Sequence, residues 1–403
     1  MRILVISQYF WPESFRINEL VQSLVAKGVE VDVLTGKPNY PQGVIYEGYK
    51  VWGVDRSNWQ GATIWRIPLF PRGNKSGLRL VLNYLSFVAS GLLIAPWLLR
   101  KRRYDAIFVF GLSPILQALP ALFVSALKKT KLVLWVQDLW PQSLSATGYV
   151  TNARVLSAVA AVVRFIYRRS DLVLVQSKAF EAHVHALAPE ARVRYYPNSG
   201  DARFAAATEP VARHWDYPFS VTFAGNVGAA QNVPVIVEAA TLLREHAHIH
   251  VVVIGDGSQW QWVKAETERR GLTNVHLLGH KPYADMPDFL YSSSALLVTL
   301  RDDPIFNATI PSKIQAYLAA GRPIIACLNG EGGRILDEAG AGVVVPANDA
   351  LALADAILAL SKASDASLKQ MGHKGREYFH ANFDHEQLVD TLIGYFERES
   401  SKD

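Results

Sequence analysis

The chain has 403 residues, of which 50% are hydrophobic and only 19% charged, so it can bury a large core, is not a disordered chain and exceeds one ordinary domain. A single cysteine, Cys327, excludes an internal disulfide and a cysteine-built zinc site. Residues 1–200 hold 24 basic and 11 acidic side chains (+13), whereas residues 201–403 hold 17 and 25 (−8), which points to two domains of opposite sign with different partners.

In chain order, the opening apolar run Ile3–Ile6 is too short for a secretory signal core and ends in Ser7-Gln8, so it reads as a strand and a reducing cytoplasmic setting is the expectation. Further strands are predicted at Val29–Leu34, Thr63–Ile67, Ala106–Phe110, Lys131–Val136 and Leu172–Val175, with helices at about 14–27, 78–99, 114–128, 152–169 and 178–187. The turn-rich cluster Tyr196-Pro197-Asn198-Ser199-Gly200-Asp201 is the expected joint, followed by a weakly patterned stretch. The alternation then restarts, with strands at Ser220–Ala224, His250–Ile254, Val275–Leu278, Ala295–Leu300, Pro323–Ala326 and Gly342–Val345, and helices near 233–246, 258–270, 284–292, 312–320, 331–339 and 349–362. Such alternation predicts parallel sheets covered on both faces, hence an α/β chain of two doubly wound domains, 1–200 and 201–380. A tail helix in 381–403 places Leu388, Val389, Leu392, Ile393 and Phe396 on one face, and a return to the first domain is one way to cover it.

Leu78–Leu99 is long and apolar enough to span a bilayer and is followed by Arg100-Lys101-Arg102-Arg103. Arg79, Asn83 and Pro96 interrupt it, and strands of one sheet lie on both sides, which disfavours a spanning segment. A buried helix with a basic end and an in-plane helix at a membrane surface both remain open.

Ligands of open parallel sheets gather at the carboxyl ends of the strands, so the segments after each strand carry the candidate chemistry. The first, Gln8 to Asn18, mixes aromatic, acidic and cationic groups but lacks G-x-G-x-x-G, and no G-x-x-x-x-G-K-[ST] occurs; a nicotinamide or flavin dinucleotide fold and an ATPase are therefore disfavoured. Asp138, at a strand end between Trp135 and Trp140, suits a polar ring with an apolar face such as a sugar; alternatively it caps the next helix while the tryptophans fill core. Phe223-Ala224-Gly225-Asn226-Val227-Gly228 leads towards Gln231-Asn232 and a helix, where exposed amides favour an anion, and Ile254-Gly255-Asp256-Gly257 repeats the strand-then-glycine pattern. The densest cluster runs from Arg301 to Gln315: Pro311 suits a helix start, Ser312 can cap it, and Lys313 in the first turn opposes the helix dipole unless an anion binds there too. A phosphate is the natural partner. Asp302-Asp303 reads as a turn former rather than a metal pair, and the eleven histidines show no ligand spacing, so no metal is expected. Basic residues scattered among apolar strands form no nucleic-acid-binding module.

These segments, with the helix Pro311-Ser312-Lys313-Ile314-Gln315-Ala316-Tyr317-Leu318-Ala319-Ala320-Gly321-Arg322-Pro323, resemble the glycosyltransferase family 4 group. Tyr9-Phe10-Trp11-Pro12-Glu13, Asn18-Glu19-Leu20 and Pro38-Asn39-Tyr40-Pro41 are similar to its bacterial branch for O-antigen, capsule and colanic-acid-type polysaccharides, nearest to N-acetyl-L-fucosaminyl transferases. The resemblance implies a GT-B fold, two Rossmann-like domains with an interdomain cleft. It implies retaining transfer with no obligatory metal and no cofactor, from a nucleotide-sugar (a UDP-sugar) on the second domain to an acceptor on the first.

On that footing Lys313, Asp138 and Glu13 are the expected catalytic residues. Donor contacts are expected from Gly225, Asn226, Val227, Gly228, Gln231, Gly255, Asp256, Gly257, Ser312, Gln315 and Glu331, and acceptor contacts from Trp11, Arg16, Asn18 and Trp140. Where the family carries two glutamates this chain has Ala308 and Ala316, with Gln315 and Glu331 as candidate substitutes. Asn226 and Gln231 or Asn232 stand where a phosphate-binding arginine and lysine are usual, which leaves Lys313 as the main cation. A basic first domain suits a lipid-diphosphate-linked saccharide at the anionic inner face of the cytoplasmic membrane. Alternatives are a nucleotide-sugar epimerase on the same architecture and a non-catalytic assembly protein that binds a nucleotide-sugar.

Overall fold

The computed structural model describes residues 1–73, 77–146, 152–206 and 214–400. The chain divides into an N-terminal unit, Met1–Tyr196 with Glu386–Asp403, and a C-terminal unit, Pro197–His385. The division falls inside the predicted joint, four residues before the expected 200/201 boundary, and the C-terminal unit extends to His385 rather than 380. The weakly patterned stretch expected after the joint lies partly in 207–213, outside the described residues.

The N-terminal unit carries β1 (Arg2–Ile6), β2 (Glu30–Gly36), β3 (Asp55–Trp59), β4 (Ala62–Ile67), β5 (Ala106–Gly111), β6 (Lys131–Val136), β7 (Leu172–Val175) and β8 (Val193–Tyr195) in one sheet of order β3-β4-β2-β1-β5-β6-β7-β8. All neighbours pair in parallel except β3 with β4. The central strands are nearly continuous β-branched and aromatic runs because both faces are buried. On one face Ile3, Val5, Val31, Val33, Phe108 and Trp135 pack against the helix Arg16–Ala26 and the last helix, His385–Ser400, which inserts Val389, Leu392 and Phe396. The other face is covered by helices Gly77–Leu98, Ala118–Lys128 and Ala153–Arg169, packed in that order. The predicted helix 114–128 is a short 3₁₀ turn, Ile115–Gln117, leading into Ala118–Lys128.

The C-terminal unit carries β9 (Phe219–Ala224), β10 (Ile249–Ile254), β11 (Val275–Gly279), β12 (Ala295–Thr299), β13 (Ile324–Cys327) and β14 (Gly342–Val345), all parallel, in the order β11-β10-β9-β12-β13-β14. Helices Val233–Leu242 and Ala350–Ser361 bury one face against Val221, Phe223, Val251 and Val253. A helix absent from the sequence reading, Asp365–Phe383, packs on the helix Ser312–Ala320. Gly372 makes this approach possible: a Cβ there would lie 2.1 Å from the Gly321 carbonyl oxygen. Arg376 completes the contact by donating to the carbonyls of Ala319 (3.3 Å) and Ala320 (3.1 Å), orphan acceptors of that helix end.

Candidate functional site

In the C-terminal sheet the strand order reverses between β9 and β12, the switch point where a doubly wound sheet opens a crevice beyond its carboxyl edge. The loop after β9 and the loop after β12 are tied together there. Arg301 N–H donates to Ala230 O (3.0 Å), and the Thr299 hydroxyl donates to Gln231 O. Tyr317, fully buried on the helix Ser312–Ala320, accepts from Ala224 N (2.9 Å) and donates to Ala224 O (3.2 Å), fixing the last residue of β9.

Just beyond it lies Lys313. Its Nζ stands 3.6 Å from the centre of the Phe223 ring and donates to Gln231 Oε1 at 3.0 Å. Its stem fills the space above Gly225, where a Cβ would come within 2.7 Å of Lys313 Cε. No carboxylate pairs with it among the described residues, and burial pushes its ammonium down to about 7. A cation desolvated beside a helix N-terminus without a counter-anion is equipped to receive one.

The glycine turns deliver fewer free amides than the sequence suggested. Gly225 (φ +129°) and Gly255 (φ +135°) let the two turns stack so closely that a Cβ on Gly255 would sit 1.8 Å from Gly225 O. That stacking consumes two donors: Gly225 N–H bonds Ile254 O (2.8 Å) and Val227 N–H bonds Asp256 O (2.9 Å). The amides of Asn226 and Gly228 make no hydrogen bond among the described residues and remain available. Asp256 is exposed and binds its own neighbour, Gly257 N, at 2.7 Å.

Three further expectations change on inspection. Ser312 does not cap its helix: Pro311 occupies the cap position, and Ser312, exposed, is the first helical residue, whose backbone keeps its hydroxyl from the first-turn amides. Gln315 is buried and spends its amide on Asn198 O (2.6 Å). Glu331 opens the helix Glu331–Ala339 close by, since Gly332 packs on Pro311 and Ile314, but its carboxylate is held by Arg334 at 2.9 and 3.0 Å. Asp303 caps the short helix Pro304–Ala308 through Ile305 N (3.0 Å), and Asp302 accepts from Asn307 (2.8 Å), in keeping with a turn role for this pair. Ala308 is buried, so no carboxylate stands at that place.

The N-terminal sheet has its own switch point, between β1 and β5, bridged by Gln8 N–H donating to Gln117 Oε1 (2.7 Å). Glu13 is buried and clamps this edge: Oε1 accepts from Asn39 N (2.8 Å) and Tyr40 N (2.7 Å), and Oε2 from Phe10 N (3.3 Å). Burial outweighs these bonds and pushes its carboxyl up to about 7. Asn18 closes the same loop, accepting from Trp11 N (3.0 Å) and donating to Glu13 O (2.7 Å). Trp11 is partly exposed, stacked on Trp59 at 5.9 Å, and Arg66 lies over its ring and donates to its carbonyl (2.8 Å). Arg16 is half-buried at the start of its helix. Asp138 Oδ2 accepts from Ser113 N (2.8 Å) and Oγ (2.9 Å), while its Oδ1 makes no hydrogen bond among the described residues. Trp140 is buried rather than displayed, donating to Ser113 Oγ (3.0 Å), and Trp135 is core, bonded to Tyr196 O (2.9 Å).

Sequence reasoning missed Tyr317 as the pin of β9 and missed a buried polar network joining Gln8, Asn39, Asn83 and Gln117. Within it Asn83 accepts from Gln8 Nε2 (2.7 Å) and donates to Phe70 O (2.6 Å). The available signal was a lone asparagine in an apolar helix. Gln8 Oε1 and Gln137 Nε2, both buried at this edge, have no hydrogen-bond partner among the described residues.

Two doubly wound units, each with polar groups gathered at its sheet's switch point, define a GT-B-type glycosyltransferase fold. The family comparisons agree unit by unit: residues 14–199 match the glycosyl transferase 4-like domain and residues 218–363 the glycosyl transferases group 1 domain, so the chain is a glycosyltransferase carrying both. It is 29% identical over 339 residues (80% of this chain, 82% of the relative) to WcaI of Escherichia coli (strain K12), provisionally named a colanic acid biosynthesis glycosyl transferase. It is 27% identical over 329 residues (78% and 79%) to WbjE of Pseudomonas aeruginosa, provisionally named a glycosyltransferase. A shorter match, 26% over 192 residues (45% and 48%), is to O-antigen chain mannosyltransferase C of Escherichia coli. Among solved structures, sucrose-phosphate synthase of Thermosynechococcus elongatus superposes with TM-score 0.73 at 18% identity (98% of both chains). Anabaena Alr3699/HepE in complex with UDP superposes with TM-score 0.66 at 13% identity (99% and 100%).

Proposed function

We propose that this glycosyltransferase moves a sugar, with retention of configuration, from a UDP-sugar held on the C-terminal unit to a polyprenyl-diphosphate-linked saccharide held on the N-terminal unit, in the synthesis of a bacterial surface polysaccharide at the cytoplasmic face of the membrane. One observation carries the donor half: Lys313, with no carboxylate partner among the described residues, is desolvated over Phe223 and over Gly225 of the turn whose Asn226 and Gly228 amides make no hydrogen bond among those residues. The names of its relatives support the pathway class, and UDP bound to a structural neighbour supports the nucleotide.

Charge develops on the departing diphosphate as the glycosidic bond breaks. Lys313 and the two amides are fixed donors that meet it there and offset part of its charge. In a same-face transfer the leaving phosphate takes the acceptor's proton, so no separate base is assigned. Asp138 Oδ1 has acceptor capacity left to orient the incoming hydroxyl, and the exposed part of the Trp11 side chain offers apolar surface for a sugar. Glu13, fully engaged by backbone amides, acts as a positioning residue for that loop.

The test is a screen of UDP-sugars, N-acetyl-L-fucosamine first, against membranes that hold lipid-linked saccharides, with and without EDTA, the product being read by mass spectrometry. A lipid-linked saccharide heavier by one sugar, formed equally in EDTA, is expected. Conversion of the UDP-sugar without any acceptor would instead assign an epimerase, and donor binding with neither outcome would assign a non-catalytic role.

A further inference from the structure

The helix Gly77–Leu98 has two faces of contrary character. Asn83, Phe87, Val88, Gly91 and Ala95 are buried against the N-terminal unit, and Gly91 lets Pro120 approach so closely that a Cβ would lie 2.7 Å from its ring. The opposite stripe, Leu78, Leu82, Leu85, Ala89, Leu93 and Trp97, recurs at helical spacing and is exposed along its whole length, with Leu93 at 80% and Trp97 at 64%. A solvent-facing stripe should be charged; this one is leucine. Phe123 and Leu127 of the adjoining helix Ala118–Lys128 continue the exposed apolar surface.

The surroundings are cationic. Between Asp55 and Asp138 the chain holds twelve Lys and Arg and a single acidic residue, Asp105. Arg100 lies 4.4 Å over the Trp97 ring and opens the run Arg100-Lys101-Arg102-Arg103, and Lys128 reaches Arg102 O (2.6 Å). The helix is long and apolar enough to cross a bilayer, yet β4 before it and β5 after it belong to one sheet, so it cannot cross while that sheet is intact.

We infer that this stripe seats the N-terminal unit in the plane of an anionic phospholipid surface, with Leu78 to Trp97 in the headgroup–acyl boundary and the Arg100–Arg103 run on the lipid phosphates. Through Asn83, the same helix holds Gln8 of the loop after β1 on its other face, so seating brings the acceptor edge to the lipid surface. This extends the lipid-linked acceptor proposed above, but its test reads lipid binding and not transfer.

Full-length protein is sedimented with vesicles of phosphatidylethanolamine and phosphatidylglycerol, and separately with phosphatidylcholine. The wild type should pellet with the anionic vesicles and be released by salt. Leu93→Glu with Trp97→Ser should lower partitioning about tenfold or more, and Arg100→Ala with Lys101→Ala should cost roughly fivefold for each cation removed. UDP binding in solution should be unchanged in every variant. A wild type that stays in the supernatant, or variants that pellet like it, overturns the proposal. So does a wild-type dimer that Leu93→Glu turns into monomer, because the stripe would then belong to a second copy.

Discussion

Glu13 holds three backbone amides from two loops, and burial raises its carboxyl to about 7. Because its folded pKa exceeds the ordinary carboxylate value, the native chain holds this proton more tightly than the unfolded one. That contribution to stability is complete below about pH 4.5 and is lost as pH rises through about 7. Glu13→Ala leaves the three amides unpaired and should cost about 3 kcal/mol in urea unfolding. Glu13→Gln keeps an acceptor for Asn39 and Tyr40, so it should cost about 1 kcal/mol and flatten the pH dependence. Equal losses for the two variants would show that the side chain's bulk, not its acceptor oxygens, matters. Both Glu13 and Lys313 were legible as residues because each is a charge in a segment that follows a strand. The roles of Tyr317 and Asn83 were not: Tyr317 reads alone as helix filler and Asn83 only as a polar interruption of an apolar helix, and each finds its partners on elements far away in sequence.

Among the elements, apolar strands announced themselves even at the sheet edges, as β11 and β14 did with mostly half-buried residues, and polar ones did not. The edge strand β3 is polar, Asp55-Arg56-Ser57-Asn58-Trp59, and pairs only with β4. The helix Asp365–Phe383 buries mainly Gly372, Gly375, Phe379 and Phe383, so it presents no apolar stripe to a periodicity argument; close approach through glycine replaces side-chain burial. Ser312 was misplaced by one position, since Pro311, not the serine, holds the cap. The last helix was legible by its face, and its packing shows why. Phe396 is fully buried, with its ring 5.6 Å from Phe108, inside the N-terminal core. Phe396→Ala should therefore destabilise by about 3–5 kcal/mol, against less than about 0.5 for the exposed Thr391→Ala. Similar urea midpoints for the two would mean that the helix is not part of that core.

For the molecule as a whole, two sheets, parallel but for β3, and their division near residue 197 follow from alternating apolar runs and helices, and each sheet places its polar cluster where the strand order reverses. The sequence could not say which amides are free: that depends on two glycine turns stacking through space and consuming half of the expected donors. What remains of the proposed donor site rests on one ammonium, and Lys313 makes that testable. Its folded pKa near 7 lies below the usual lysine value, so at about pH 8 the free site is mostly neutral, and a bound diphosphate must draw a proton onto it. Calorimetric titration of UDP at that pH, in buffers of different ionisation enthalpy, should show proton uptake by the wild type and affinity that falls as pH rises. Lys313→Gln should bind about tenfold more weakly or worse, with no uptake. Equal affinity in the variant, or wild-type binding without a proton, would contradict the account.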